Sequence, residues 1–354
     1  MLILLILIIL LLAVGAAAQA ICVRRDRRRF PPPGAMIDGL HVRRMGNGGP
    51  VVIFEAGIAA SCLNWNRIQS DLASSATTWS YDRQGFGWSE AGNGRCSLDQ
   101  ITEQLHSLIG AMGVTTPIIL VGHSFGGYIA RYFVNRYPHA AAALVLVDPA
   151  TPEEWIAPTF GQRWRLLRAV FFTRFAAVLA TFGVIRMGLW SLLRRGNGNA
   201  GPVLGLSDTM RRVAGEVNKL SRSAGVRPSE ARAGARRRNP EQSEGPDSMD
   251  LPTPSFDVVR LLRSRWSEPK FYRTMAGYIQ ALPRCAREVA QCELPEGLPV
   301  TVISSAQLPS ERMAEHAALA TKHIIAAHSG HWVHLDEPEL VVEAIREEIL
   351  SLKF

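Results

Sequence analysis

The sequence predicts an α/β protein: a mostly parallel sheet flanked by helices, interrupted by a helical insertion and preceded by one membrane-length apolar helix. Three observations carry this. From residue 51 onward, short apolar runs alternate with stretches of helical period, the pattern of a parallel sheet. Between Asp148 and Val300 that alternation breaks and helical patterning takes over. From Leu2 to Val23 the only polar side chains are Gln19 and the thiol of Cys22.

The apolar run meets the length of about 20 residues needed to cross the hydrocarbon core of a bilayer. Ala18-Gln19-Ala20 resembles a small-x-small cleavage site, so a cleaved signal peptide is the competing reading. Against it, no Lys or Arg precedes the run, and the arginines Arg24, Arg25, Arg27, Arg28 and Arg29 follow it. An anchor is preferred. Positive charge stays on the cytoplasmic side, so this block predicts the N-terminus outside and the main domain in the cytoplasm. Phe30-Pro31-Pro32-Pro33-Gly34 is a stiff spacer. Residues 1–23 therefore read as the transmembrane segment and residues 24–36 as a basic, Pro-rich linker.

A chain of 354 residues with 47 % hydrophobic and 20 % charged side chains is not wholly disordered and has material for a sizeable core. Its five cysteines are odd in number and scattered, with no CxxC pair, which argues against a disulfide scaffold or a structural zinc site. The net charge of +8 hints at nucleic acid until it is located. The block at residues 24–29 holds +4, and residues 160–240 hold sixteen Lys and Arg against three acids, or +13, which leaves −9 elsewhere. The basic character sits beside the apolar run and inside the insertion, without a recognition motif, so no nucleic-acid partner is expected.

Along the chain, Val51–Glu55 and Thr77–Asp82 read as strands, the second closed by the turn Gln84-Gly85-Phe86-Gly87. Ile101–Met112 has helical period, Ile118–Val121 is a third strand, and Ser124–Tyr137 a helix ending at Pro138. Ala143–Val147 is a fourth strand; Val300–Ser304 and His323–Ala327 supply two more, with a helix at Ser310–Ala320 between them. The last helix is Pro338–Leu350. These segments place a core at residues 37–150 and 296–354, with a helical cap at 151–295 between its halves. Within the cap, Trp164–Leu193 is apolar, studded with arginine and helical in period. Residues 221–254 are rich in Arg, Ser, Pro, Gly and Glu and read as a disordered stretch.

The strongest chemical signal is Gly122-His123-Ser124-Phe125-Gly126-Gly127, directly after one strand and directly before a helix. A serine at such a turn is held in a strained conformation that lifts its hydroxyl above the sheet, and the flanking glycines leave room for the neighbouring backbone. The amide of Phe125, at the helix start, can bind developing negative charge. A serine hydroxyl needs a base. His331, in Ser329-Gly330-His331-Trp332, lies past the last strand and before the final helix; His328 and His334 are its neighbours and competitors. The acid that orients this histidine has two candidate places. The loop after Val300–Ser304 reads Ser305-Ala306-Gln307-Leu308 and offers no carboxylate before Glu311. Asp148, 24 residues after Ser124 at the end of the preceding strand, is preferred, with Glu311 as the alternative. Glu55-Ala56-Gly57-Ile58 follows the first strong strand, and the amide of Ile58 is the candidate second oxyanion donor beside that of Phe125. No metal cluster, dinucleotide loop or P-loop is legible, so no metal and no cofactor are expected.

These segments together resemble the α/β-hydrolase superfamily from about Asp38 to the C-terminus. The likeness is carried by Glu55-Ala56-Gly57, by Ser80-Tyr81-Asp82-Arg83-Gln84-Gly85-Phe86-Gly87-Trp88-Ser89, by the serine turn, by Leu146-Val147-Asp148-Pro149 and by Ser329 to Pro338. It is similar to a bacterial branch whose members begin with one hydrophobic segment and a Pro-rich spacer. The resemblance implies a mostly parallel eight-stranded sheet with a helical cap inserted after the sixth strand. It also implies a serine hydrolase acting on small apolar ester or acyl substrates. The same scaffold serves acyl transfer, amide or lactone opening and cofactor-free haloperoxidation, or a non-catalytic binding role. One departure bears on the site: the carboxylate usual after the seventh strand is missing. The arginines and aromatic residues of Trp164–Leu193 suit a second contact with a membrane surface.

Overall fold

The computed structural model describes residues 1–194 and 264–352; the stretch at 221–254 lies outside the described residues. The described chain falls into two compact units, one of residues 1–33 with 179–268, the other of residues 34–178 with 269–354.

The larger unit is built on one eight-stranded sheet in the order β1-β2-β4-β3-β5-β6-β7-β8. Its strands are β1 (Ala35–Ile37), β2 (Leu40–Met45), β3 (Val51–Glu55), β4 (Thr77–Asp82), β5 (Ile118–His123), β6 (Ala141–Val147), β7 (Val300–Ser305) and β8 (Lys322–Ala326). β1 with β2 and β2 with β4 pair antiparallel, and every other pair is parallel. The six strands expected from sequence are present, within two residues at each end. The hairpin β1–β2 was legible only through the family resemblance. Its local signal was the dipeptide Asp38-Gly39, whose φ values of +47° and +77° make the tight turn that joins two strands.

The parallel strands are apolar without alternation because both faces of the sheet are covered. Val52, Phe54, Ile119, Val121, Val145, Val147 and Ile303 face one buried cluster, while Ile53, Ile118, Leu120, Leu144, Leu146 and Val302 face the other. α2 (Asn66–Leu72) and α11 (Pro338–Ser351) cover the first face; α3 (Leu98–Ala111) and α4 (Phe125–Arg136) cover the second. Each fully buried Leu, Ile, Val or Phe contributes roughly 1.5–3 kcal/mol relative to exposure.

The insertion follows the sixth strand, as the resemblance implied. It holds α5 (Glu153–Ile156), α6 (Phe160–Thr181), α7 (Val184–Arg194) and α8 (Pro269–Ala290). The single helical stretch expected at Trp164–Leu193 is two helices, because Gly183 takes φ +78° and ends α6. α8 packs on α4 and α5. Its Tyr278 meets Phe86 and Phe125 edge to face, and its Lys270 Nζ donates to the carbonyl of Gly87 at 2.9 Å. This last helix of the insertion thus closes over the turns that follow β4 and β5. Two short helices, α9 (Ser310–Leu319) and α10 (Val333–Asp336), flank β8. On α6, Phe160, Trp164, Leu167, Phe171 and Phe172 are exposed.

The smaller unit is organised on α1 (Leu2–Arg29), a 28-residue helix that runs past the apolar segment through the basic block. Arginine is a good helix former and is favoured at a helix C-terminus, so residues 24–29 extend the helix where the sequence suggested linker. Leu2–Leu12 stand exposed, whereas Gly15, Gln19, Cys22 and Asp26 turn one partly covered face toward α7 and residues 264–268. Gln19 is 4 % exposed; its Nε2 donates to the Ser267 carbonyl at 2.7 Å and its Oε1 accepts from Arg186 Nε at 2.8 Å. Arg186 also pairs with Asp26, and Arg27 with Glu268 at 3.0 Å.

Candidate active site

The turn after β5 carries the first candidate side chain, Ser124. Ser124 sits at φ 54° and ψ −120°, a conformation non-glycine residues avoid, and α4 starts at the next residue. The strain is held from both sides: Ser124 N donates to the Val147 carbonyl at 3.2 Å, and its own carbonyl accepts from Gly127 N and Ala150 N at 2.8 and 3.1 Å. A side chain cannot be added nearby. A Cβ on Gly122 would lie 2.7 Å from the Gly126 carbonyl oxygen, and one on Gly126 would lie 2.5 Å from that of Glu55.

The second and third side chains arrive from separate strands. His331 Nδ1 lies 2.6 Å from Asp148 Oδ2, and the other oxygen of Asp148 accepts from Ser305 N at 3.1 Å. Asp148 is 1 % exposed and, at φ +41°, turns back over the end of β6, where its amide donates to the Ile303 carbonyl at 2.7 Å. Glu311 lies exposed in the first turn of α9. It is Asp148 that stands against His331.

The neighbouring histidines are set apart by burial. His328 is exposed. His334 is buried against Trp65, ring centroids 4.6 Å apart, and burial together with His331 pushes its pKa down to about 3. His123 is also buried and is held well below the usual imidazole range, first by burial and then by His334 and His331. Both stay neutral at working pH. His123 Nε2 donates to the His331 carbonyl at 2.9 Å, so it props up the loop that presents His331. His331, with 42 % of its side chain exposed, is the one of these four histidines both open to solvent and paired with a carboxylate.

The loop after β3 completes the site. Gly57 touches the turn directly: a Cβ there would lie 3.0 Å from His123 Nδ1 and 3.4 Å from Ser124 Cβ. Arg83, buried beneath, pairs with Glu55 and donates to the carbonyls of Ala56 and Gly57, the latter at 2.6 Å. In a trans peptide the N–H points opposite the carbonyl, so fixing the Gly57 carbonyl on Arg83 turns the Ile58 N–H away from Arg83. Burial, the largest influence, lowers the Arg83 guanidinium, but Glu55, Tyr278 and Tyr81 together outweigh it, raise its pKa and keep it charged. Phe125 is the first residue of α4, where helix amides have no acceptor within the helix.

Sequence reasoning passed over Ser305, Ser329 and His123. Ser305 Oγ donates to the Ser329 carbonyl at 2.7 Å, tying the end of β7 to the histidine loop. Small polar residues at strand ends carry no signal of such a role. Among the described residues, one group has the make-up of a metal site: buried His41, Cys62 and Asp82. Its donors are already committed. Asp82 accepts from Cys62 N at 2.9 Å and Trp88 N at 3.0 Å and bonds His41 Nδ1 at 2.8 Å. Burial, and then Asp82, pushes the Cys62 thiol well up, so it stays protonated and a poor ligand. The group holds the turn after β4 to the loop at residue 62.

Ser124, Asp148 and His331 thus follow the C-terminal ends of β5, β6 and β8, the end of such a sheet where α/β enzymes carry their sites. A model of the alpha/beta hydrolase fold matches residues 50–338, and the chain belongs to that family. Among solved structures, an esterase from Thermogutta terrifontis is 19 % identical, with 88 % of this chain and 93 % of that one covered at a TM-score of 0.52. A putative lipase from Acinetobacter baumannii is 15 % identical, with 94 % and 96 % covered at a TM-score of 0.55. Lipase LipV of Mycobacterium tuberculosis is 34 % identical over 119 residues, 32 % of this chain and 43 % of that protein. The match to curated relatives spans about two fifths of their length.

Proposed function

We propose that the protein is a serine hydrolase that cleaves a carboxylic ester through an acyl-enzyme, with Ser124 as nucleophile, His331 as base and Asp148 as the acid that orients it. The observation that carries this is the 2.6 Å contact between His331 and Asp148 beside a strained serine. Ser124 Oγ attacks the carbonyl carbon and its proton passes to His331 Nε2, while Asp148 keeps the other ring proton on Nδ1. The N–H groups of Phe125 and Ile58 receive the developing oxyanion. Collapse of the adduct expels the alcohol, which takes the proton from His331. Water then repeats the sequence, releases the acid and restores the serine. The names of the lipase and esterase relatives support an ester as substrate, and no bound group is needed for these steps.

The test is turnover of a panel of acyl esters of graded chain length. The expected result is hydrolysis across the panel with a preference among apolar acyl groups. Absence of turnover on every ester, with amides or lactones cleaved instead, overturns the ester assignment while leaving the three residues in place.

The apolar part of α1, residues 2–23, supports a single-pass membrane anchor, with the exposed aromatic residues of α6 as a further contact at the membrane surface. Gln19 supports retention of that anchor, since cleavage after Ala20 would remove a buried side chain bonded to Ser267 and Arg186. Protein extracted from membranes is therefore expected to yield an N-terminal sequence beginning before Gln19. A sequence beginning after Ala20 identifies a cleaved leader.

A further inference from the structure

The C-terminal turns of α1 and the exposed side of α7 enclose a cleft of about 670 Å³. Arg25, Arg28, Arg29 and Arg186 line it, with Asp26 the one acid among the lining residues. Asp26 is paired with Arg186, and the C-terminal end of a helix carries roughly half a negative charge. Neither cancels four guanidinium groups. Arg25 and Arg28 make no ion pair among the described residues, and Arg186 Nη2 is buried without a hydrogen-bond partner. A buried donor left unmet is costly, and an oxyanion is the partner that guanidinium groups accept in paired, planar geometry.

The rest of the lining is apolar. Met187 and Trp190, 64 % and 47 % exposed, form the α7 side of the cleft. The position along α1 says what reaches it. Arg25–Arg29 lie beyond the apolar run of α1, and α7, bonded to Gln19 and Asp26 through Arg186, exposes Val184, Met187 and Trp190 beside them. This end of the unit therefore meets the bilayer at the level of the headgroups, where tryptophan is also favoured. An anionic group among arginines with an apolar wall toward the bilayer is a site for an amphiphile.

We propose that this cleft binds the phosphate headgroup of an anionic phospholipid, with the arginines on the phosphate and Met187 and Trp190 against the first acyl carbons. The proposal rests on α1 being a retained anchor, and the two are separable. N-terminal sequencing reports on the anchor alone.

The lipid site is tested on full-length protein in nanodiscs carrying spin-labelled phosphatidylglycerol or phosphatidylcholine. The immobilised fraction of each label gives the relative association. The wild type is expected to prefer phosphatidylglycerol, and Arg28→Gln to reduce that preference about fivefold, the effect of one arginine near an anionic surface. Arg24→Gln removes the same charge from the same block but outside the cleft and is expected to leave the preference nearly intact. Arg186→Lys keeps charge and loses the planar fork, and is expected to act like Arg28→Gln. Thermal melting of each variant shows whether the fold persists, and the exposed Arg28 keeps the test sound even if Arg186→Lys unfolds. Equal association of the two lipids overturns the proposal. So does an equal loss in Arg24→Gln and Arg28→Gln, which identifies diffuse attraction to the basic block. Displacement of the label by millimolar inorganic phosphate overturns the lipid assignment and makes the cleft a site for free phosphate.

Discussion

Ser124→Ala is expected to abolish ester hydrolysis and to leave the fold intact. The side chain removed is one oxygen atom at a turn fixed by backbone bonds to Val147, Gly127 and Ala150, none of which uses the hydroxyl. Alanine bears the φ of 54° no worse than serine does, so the unfolding midpoint should hardly move. In the proposed mechanism that oxygen is the attacking atom. Loss of such a nucleophile costs several orders of magnitude in kcat, with residual rate left from the oxyanion donors and binding. Labelling by a fluorophosphonate probe should vanish in parallel. A variant that keeps more than about a tenth of wild-type kcat would falsify the assignment.

Asp148→Asn is expected to be nearly as damaging, and Glu311→Gln to be nearly silent. Both replacements keep shape and remove one charge, so the pair isolates the partner of His331. Asparagine can still accept from Ser305 N with its oxygen, which then directs its NH2 group toward His331 Nδ1. That arrangement favours the wrong tautomer, in which Nε2 carries the proton and cannot act as base. The equivalent change in a serine protease lowers kcat about ten-thousandfold. Glu311 is exposed on α9, and its charge is screened by solvent. Steady-state kinetics on one ester decides between them: a larger loss from Glu311→Gln would remove Asp148 from the mechanism.

The same pair of carboxylates shows where reading the chain stops. The serine turn, the parallel strands and the histidine loop were legible because each is a local pattern: glycines spaced for close backbone approach, apolar runs without alternation, a loop between strand and helix. The choice of acid is not local. β6 and β7 are adjacent and parallel, with Val147 opposite Ile303, so the ends of both strands lie beneath one histidine. Either end could supply the carboxylate, and the pairing explains how Asp148 reaches His331 although the loop after β7 carries no carboxylate before Glu311.

Other features depended on contacts between distant segments. His123 reads as an ordinary residue of the serine turn, and its bond to the His331 carbonyl spans 208 positions. Arg83 lies in a recognisable motif, yet its hold on the Ala56 and Gly57 carbonyls appears only once β3 and β4 are paired. Gln19 looked like a polar interruption of an apolar run, and its partners lie about 170 and 250 residues away. By itself the sequence determined the class of fold, the serine turn and the histidine loop as candidate sites, and the apolar helix, because periodicity, glycine spacing and hydropathy act over a few residues. The tertiary structure alone decided which carboxylate meets His331, which histidines burial keeps neutral, and which face of the N-terminal helix is covered, because desolvation and hydrogen-bond geometry depend on groups that meet only when the chain is folded.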